Sequence, residues 1–525
     1  MPDAPRDRLT SLLRLRNRRR GATGLVLSGG GSRADFEIGA LTYLYDRVGI
    51  EPTVITGTSA GSILGAVLAQ HSDAAGQRRA LGRLERLWRE MADSSEMFTP
   101  NEWFVRLRQR GPEWFAALQR QQRQNPLGRT FARVAASGPL PLRLPRAETD
   151  DSNGALGVLE LLTALREVGR ARPDLAVILR GAEREKALYE PGPIVQRLAE
   201  PDFFSPARVA SSGVTLRIAA VSLESGELHY VTESGGMVDR ENRELRGDPV
   251  DMVEAVHASC AIPAVFRPVP LRQETYVDGG VRETLPAEIA MTQLGVGRCF
   301  AVVASPPGVP RQASYRDKDM LSVVMRSSVG IMTDESLRDE VEWARSAGAT
   351  VIAPEIEIHD MLTVNPGLTA ISLDYGYVRA AEAVDAASAR EVALTRELFI
   401  LRREIWRAEE QLLIRLGLVE PSENDLLESP GGGTTDAPEA SPAEASRPAE
   451  ADSTDAVAGG PASRPGARTE VDPSAQTLTE IAARKRKLRS LLSQVPARRL
   501  PPGAQRWWRG YEGHTAEVPL PPIWR

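Results

Sequence analysis

Cysteine is almost absent from the 525 residues: only Cys260 and Cys299 occur, each inside an apolar stretch, SCAIPAVF and RCFAVVA. A disulfide-rich secreted scaffold is excluded on that ground, and each thiol reads as a small buried hydrophobe. Net charge is small as well, −5 from 65 basic and 70 acidic residues, so no global basic field argues for a nucleic-acid partner. Lysine stands only at 186, 318, 485 and 487 against abundant arginine, a compositional bias without mechanistic content. Histidine is limited to His71, His229, His257, His359 and His514, and no His, Cys, Asp or Glu cluster has ligand spacing. The sequence therefore calls for no metal and no cofactor. No apolar run approaches the ~18 residues of a membrane span, and the amino terminus, RDRLTSLLRLRNRRR, is charged where a signal peptide is apolar. The expectation is a soluble cytoplasmic protein.

What is present is enough for a large core, since 42% of the residues are hydrophobic. Residues 1–20 form a basic segment in which Leu9, Leu12, Leu13 and Leu15 lie among seven arginines. A solvated tail is the plainer reading, and transient contact with a membrane surface is the other. From Gly24 the pattern becomes regular: LVLS is a short apolar strand, GGGS a tight turn, and Ala34 to Val48 a helix with Ile38, Leu41, Tyr45 and Val48 on one face. PTVITGTSAGSILGAVLAQ repeats the scheme, with a strand through Val54 and Ile55, a turn at GTSAG and a helix from Ser62 to Gln70. Two strands joined by a helix make a βαβ unit, which predicts a parallel sheet with helices on its faces.

Residues 73–205 read as a helical insertion with few strand signals, including helices at Ala80 to Met91 and Gly157 to Val168. VTLRIAAVSLESGELHYVT predicts a hairpin, CFAVVAS and ATVIAPEI two further buried strands, and Tyr375 to Leu416 one continuous helix. The main domain is placed at 21–420. Residues 421–476 hold almost no large apolar side chain and are expected to be disordered. The tail, 477–525, opens on a capping box, Thr477-Leu-Thr-Glu480, before a basic amphipathic helix, and closes Trp- and Pro-rich. That helix could dock on anionic lipid, on the body of the protein or on a protein partner, and the sequence does not choose among them.

Three turns carry chemistry. Gly57-Thr58-Ser59-Ala60-Gly61 has the spacing of a nucleophile elbow, in which a sharp strand-to-helix turn raises a serine at the sheet edge and a Cβ at either glycine would strike backbone. The helix behind Ser59 aims its amides and positive dipole end at the place where an oxyanion would form. Ser28-Gly29-Gly30-Gly31-Ser32-Arg33 sits one βα unit earlier, so its amides would lie beside the elbow. Phosphate binding is the competing reading of GGGSRA, weakened by the lack of an acidic residue in the expected place. Tyr276-Val277-Asp278-Gly279-Gly280 ends a strand on an aspartate, and an ordinary Asx-turn would account for it alone.

In that order, SGGGSR, GTSAGS, ASCAIPAVFRPV and VDGGVRETLP make the chain resemble the patatin-like phospholipases over roughly Gly24 to Ala386. The resemblance implies an α/β fold of three layers, α/β/α, with a mainly parallel central sheet. It implies a serine hydrolase of lipid esters without cofactor, with Ser59 as nucleophile and Asp278 as its proton acceptor. The amides of Gly29, Gly30 and Gly31 would form the oxyanion hole, Arg33 would close that loop, and Gly279 and Gly280 would support the aspartate's turn. Two positions depart from the family: Ala34 replaces a common glycine, and Thr284 a common asparagine. A dyad requires partial burial to make a carboxylate basic enough.

A triad would need a histidine, and only His359 follows Asp278 in the required order within the globular region. Its setting, EIEIHD, predicts a surface loop, while His257 is expected simply to pack. The rival from another class is a binding or scaffolding protein on the same fold with an inactive site. Trp88, Met91, Phe98, Trp103, Phe104, Trp114 and Phe115 could cover the site and take up acyl chains, or serve as core.

Overall fold

Short runs such as GLVL and VIT are too brief for a helix and too apolar for an exposed strand, and the computed structural model buries them at the centre of a ten-stranded sheet. It describes residues 22–106, 181, 184–198, 200–309, 311, 314–315, 323–324, 326–417 and 473–507. The basic segment 1–20, the expected helix at 157–168, Trp114, Phe115, residues 421–472 of the expected 421–476 linker and the end of the tail lie outside the described residues.

The elements in chain order are β1 (Thr23–Leu27), α1 (Ala34–Tyr43), β2 (Val54–Thr58), α2 (Ala60–Leu68) and α3 (Ala74–Glu90). Next come β3 (Phe98–Pro100), β4 (Tyr189–Pro191), α4 (Pro193–Leu198), α5 (Pro206–Ser212), β5 (Thr215–Ser222) and β6 (Leu228–Thr232). They are followed by β7 (Met237–Val238), β8 (Glu244–Leu245), α6 (Met252–Ser259), β9 (Val269–Leu271), β10 (Glu274–Asp278) and β11 (Arg298–Val302). The series ends with α7 (Thr333–Ser346), β12 (Thr350–Ile352), α8 (Pro366–Val384), α9 (Ala389–Arg415) and α10 (Pro473–Leu492).

Strands run in the order β12-β11-β1-β2-β5-β6-β7-β8. The first five are mutually parallel, and β6 returns antiparallel as the expected hairpin. The fold is thus a mixed, mostly parallel sheet flanked by helices. The register on β5 matters most for function. One edge of β5 carries β6 over Arg217 to Val221, while the other carries β2, with Thr58 opposite Ala219. On that second edge, just past the end of β2, β10 approaches antiparallel and sets Asp278 opposite Ala220. Two strands therefore meet nearly end to end along one partner, and the residue after β2 is Ser59.

Several expectations are corrected. The helix expected over Tyr375 to Leu416 breaks at residues 385–388: Ala386 takes a positive φ of 49°, and Ser388 opens α9 with a capping box to Glu391. The insertion, expected to hold helices and loops with few strands, includes one short antiparallel pair, β3 and β4. Helix α10 begins at Pro473, so Thr477 lies inside it rather than capping it. Of the three docking places open to α10, the structure shows the body of the protein. Ile481, Leu488 and Leu492 are buried there, and Lys485 pairs with Glu409 in the interior. Arg499 bonds Glu391 at 2.8 Å, and the Arg402 guanidinium lies 3.6 Å over the Trp507 ring. Among the described residues no helix is long and apolar enough to cross a membrane.

Candidate active site

Ser59 occupies the turn between β2 and α2 with φ 52° and ψ −127°, a strained backbone for a residue with a side chain. The turn is tight enough that a Cβ on Gly57 would lie 2.5 Å from the Gly61 carbonyl oxygen, and one on Gly61 2.5 Å from that of Ser28. Two hydrogen bonds hold the strained unit: Ser59 N–H donates to the Ser259 side-chain Oγ at 2.9 Å, and Gly61 N–H donates to the Ser28 carbonyl at 3.2 Å. The Ser62 hydroxyl closes the first turn of α2 on the Ser59 carbonyl at 2.6 Å.

Asp278 ends β10 beside this turn. Its N–H donates to the Ala261 carbonyl at 3.0 Å, and Oδ1 accepts the Gly280 N–H at 2.8 Å. Oδ2 is buried and makes no hydrogen bond of ordinary length among the described residues, with the Ser59 hydroxyl its nearby polar neighbour. Burial pushes the carboxyl up to about 7, against the smaller lowering by the Ser59 hydroxyl and the Gly280 amide. A carboxylate of that basicity accepts a proton far more readily than a solvated one. The turn is braced from below, where Thr58 Oγ1 donates to the Glu283 carbonyl at 3.0 Å. Thr284 and Leu285 N–H donate to the Glu340 carboxylate at 3.0 and 2.7 Å. Among the described residues Thr284 Oγ1 makes no bond, so the support that an asparagine side chain would lend comes here from backbone and Glu340.

The glycine loop lies alongside, as the β1–β2 pairing requires. Its amides do not all behave as the sequence suggests. Gly29 N–H donates to the Thr284 carbonyl at 3.0 Å, which removes it from the set available to an oxyanion. Gly30 and Gly31 N–H have no acceptor among the described residues. Gly31 has φ +60°, and a Cβ on it would lie 2.4 Å from the Met361 carbonyl oxygen, so both conformation and space require glycine. Arg33 closes the loop, donating from Nε to the Gly30 carbonyl at 3.4 Å and pairing with Glu357 at 3.0 Å.

Ser59 stands between two concavities. On one side is an apolar pocket of about 320 Å³, running along α2 past Ile63 and Val67 and walled by Val253, Val256 and Cys260 of the α6 region. On the other is a more polar cleft of about 490 Å³, bordered by Gly30, Arg33 and Asp278. Of the expected covering residues, Trp88 and Phe98 line the apolar pocket, and the Trp88 indole N–H also donates to the Ser32 carbonyl at 3.3 Å. Met91 is core, and Trp103 packs on Phe104, which packs on Tyr189.

Among the described residues no histidine hydrogen-bonds Ser59 or Asp278. His359, expected on a surface loop, is buried: Nε2 lies 2.7 Å from Asp35 Oδ2, a pairing that makes interior burial tolerable. His257 borders the apolar pocket, where burial lowers its pKa. Among the described residues no group of His, Cys, Asp or Glu could hold a metal ion. Sequence reasoning missed Ser259 and Glu340. Ser259 lay within a recognised motif but gave no hint of its role, and Glu340 reaches the site from α7, more than 50 residues beyond the turn it braces.

A sequence profile of the patatin-like phospholipases matches residues 25–291, from β1 past the Asp278 turn. A curated relative, lysophospholipase nte1 of Aspergillus oryzae, is 38% identical over 76 residues, 14% of this chain and 5% of that protein. The chain thus spans a small fraction of that relative's length. Among solved structures, VipD from Legionella pneumophila is 13% identical with a TM-score of 0.30, covering 95% of this chain and 93% of that one. The ExoU-SpcU complex of the type III secretion system of Pseudomonas aeruginosa is 15% identical with a TM-score of 0.18, covering 78% and 66%. At those scores neither structure bears on activity. The profile spans 267 of the 525 residues, and the protein belongs to the patatin-like phospholipase family.

Proposed function

We propose that the protein is a serine lipid acyl hydrolase working through a Ser59–Asp278 dyad and an acyl-enzyme. Ser59 Oγ attacks the ester carbonyl carbon while its proton passes to Asp278 Oδ2. The oxyanion that forms takes the free N–H groups of Gly30 and Gly31, with the positive end of α2 behind it. Collapse breaks the ester C–O bond, the departing alcohol recovers the proton from Asp278, and the acyl group stays on Ser59. Water then attacks the acyl carbon as the same carboxylate takes its proton, the acyl–Oγ bond breaks, and Asp278 returns the proton to Ser59 Oγ as the fatty acid departs.

The observation that carries this reading is the unpartnered, buried Asp278 Oδ2 beside a strained serine at the boundary of two unlike cavities. A strained backbone and an orphaned carboxylate oxygen each destabilise the fold, and their coincidence has a ready explanation in catalysis. The apolar pocket suits an acyl chain, and the polar cleft suits the leaving alcohol, a glycerophosphoryl group or another lipid alcohol. A substrate held in a bilayer would be reached by transient contact with the membrane surface.

The test is hydrolysis of mixed phospholipid and triglyceride vesicles by purified protein, with Ser59→Ala and Asp278→Asn beside it. Turnover lost in both variants is the expected result, and turnover surviving both would end the dyad reading. An unmodified protein inert toward every lipid and short-chain ester would instead favour a binding role.

A further inference from the structure

The oxyanion loop is not self-supporting. Its outer side rests on residues 357–361, where Ser32 N–H donates to the Met361 carbonyl at 3.0 Å and Ser32 Oγ to the Asp360 carbonyl at 3.2 Å. The Arg33–Glu357 pair adds a third tie at 3.0 Å. Those ties position Gly30 and Gly31 only if the Asp360–Met361 backbone is itself fixed.

His359 fixes it. Nδ1 lies 2.9 Å from the Asp360 carbonyl, the same oxygen that Ser32 Oγ uses, and Nε2 lies 2.7 Å from Asp35 Oδ2. A carbonyl only accepts, so Nδ1 carries a proton, and the carboxylate calls for a second proton on Nε2. Both contacts favour the charged form of the ring. Burial and the Arg33 charge oppose that form, but Asp35 and the Asp360 carbonyl outweigh them and raise the pKa. Asp35 is anchored in turn: its Oδ1 accepts the Ser372 hydroxyl at 2.6 Å and the Phe36 N–H at 2.7 Å. Asp35 belongs to α1, the helix that the glycine loop leads into, and Ser372 to α8, which packs across it. Loop and brace thus share one rigid base.

We propose that the buried His359–Asp35 pair is a positioning device that holds the Gly30–Ser32 backbone in the shape that receives the oxyanion. The proposal rests on the reading of Gly30 and Gly31 as oxyanion donors, and it gives His359 a role other than proton transfer: the ring touches no reacting atom and acts through one peptide plane. A donor displaced from the oxyanion position lowers kcat while leaving ground-state binding in the apolar pocket intact.

The experiment uses the full chain with His359→Gln, and with the double variant His359→Gln/Asp35→Asn, which replaces both partners of the buried pair by neutral amides should the single variant fail to fold. Hydrogen exchange is followed on the peptide spanning residues 28–34, and kcat and KM are measured with a short-chain ester. In whichever variant folds, we expect exchange there to accelerate at least tenfold and kcat to fall about tenfold to a hundredfold, with KM changed less than about twofold. A folded variant with unchanged exchange, or with unchanged kcat, overturns the proposal even if its melting temperature drops. Should Ser59→Ala retain full hydrolysis, the dyad reading fails on its own account, and the exchange data still decide whether His359 holds the loop.

Discussion

Replacing Asp278 by Asn should abolish turnover and at the same time stabilise the folded chain at alkaline pH. The carboxyl is 5% exposed, and no cation figures among the groups that set its pKa, which burial pushes from 3.8 up to about 7. A raised carboxyl pKa means that the native state favours the protonated form. That preference contributes fully below about pH 4 and is lost as pH rises through about 7. Between those limits the native state loses up to about 4 kcal/mol relative to a neutral isostere, at about 1.4 kcal/mol per pKa unit. Asparagine keeps the shape and a carbonyl for the Gly280 N–H while carrying no charge. At pH 8.5 the variant should therefore be more stable than the parent by about 2–4 kcal/mol, and at pH 4 the two should agree within about 1 kcal/mol. Urea unfolding at half-unit pH intervals reads the difference directly. A gap that stays constant with pH, or a parent more stable at pH 8.5, would refute the assignment of Asp278 as a buried, unpaired base. The same ionisation should appear in kinetics as a kcat/KM that rises through about pH 7, since only the carboxylate can accept the Ser59 proton.

Ser259→Ala removes the acceptor of the Ser59 N–H and should cost about 1–3 kcal/mol of stability with about a tenfold loss of kcat, read by thermal melting and ester hydrolysis. Ala66→Phe places a ring in the apolar pocket one turn beyond Ile63, and should lower kcat/KM for palmitoyl esters about tenfold while leaving butyryl esters within about twofold. Lys485→Met strands the buried Glu409 carboxylate beneath α10, which should destabilise docking of that helix by about 3–5 kcal/mol. Limited proteolysis should then release the tail, with ester hydrolysis unchanged.

The parallel half of the sheet was legible because its strands are short apolar runs ending on glycine turns, a pattern that local physics nearly dictates. Ser59 and Asp278 were legible as candidates for the same reason, each being a reactive side chain at a strand end flanked by glycines. Their juxtaposition came only with the family resemblance, because it depends on β10 meeting β2 end to end on the edge of β5, a long-range register with no local signal. The break between α8 and α9 escaped because Ser388 and Glu391 form a capping box inside a run whose apolar spacing continues on both sides. His359 was misjudged from its polar neighbours: EIEIHD reads as solvent-facing until Asp35, 324 residues earlier, supplies the partner that lets the ring be buried. Gly29 shows the limit of motif reasoning, since its amide donates to Thr284 while, among the described residues, those of Gly30 and Gly31 have no acceptor.

The account turns on a covalent acyl-enzyme at Ser59. Rapid acid quench of the protein with a lipid ester, followed by peptide mass analysis, should show the acyl mass on the peptide containing Ser59. The adduct should be absent from Ser59→Ala and slow to form in Asp278→Asn. Hydrolysis proceeding with no acyl mass on Ser59, or with that mass on another residue, would contradict it.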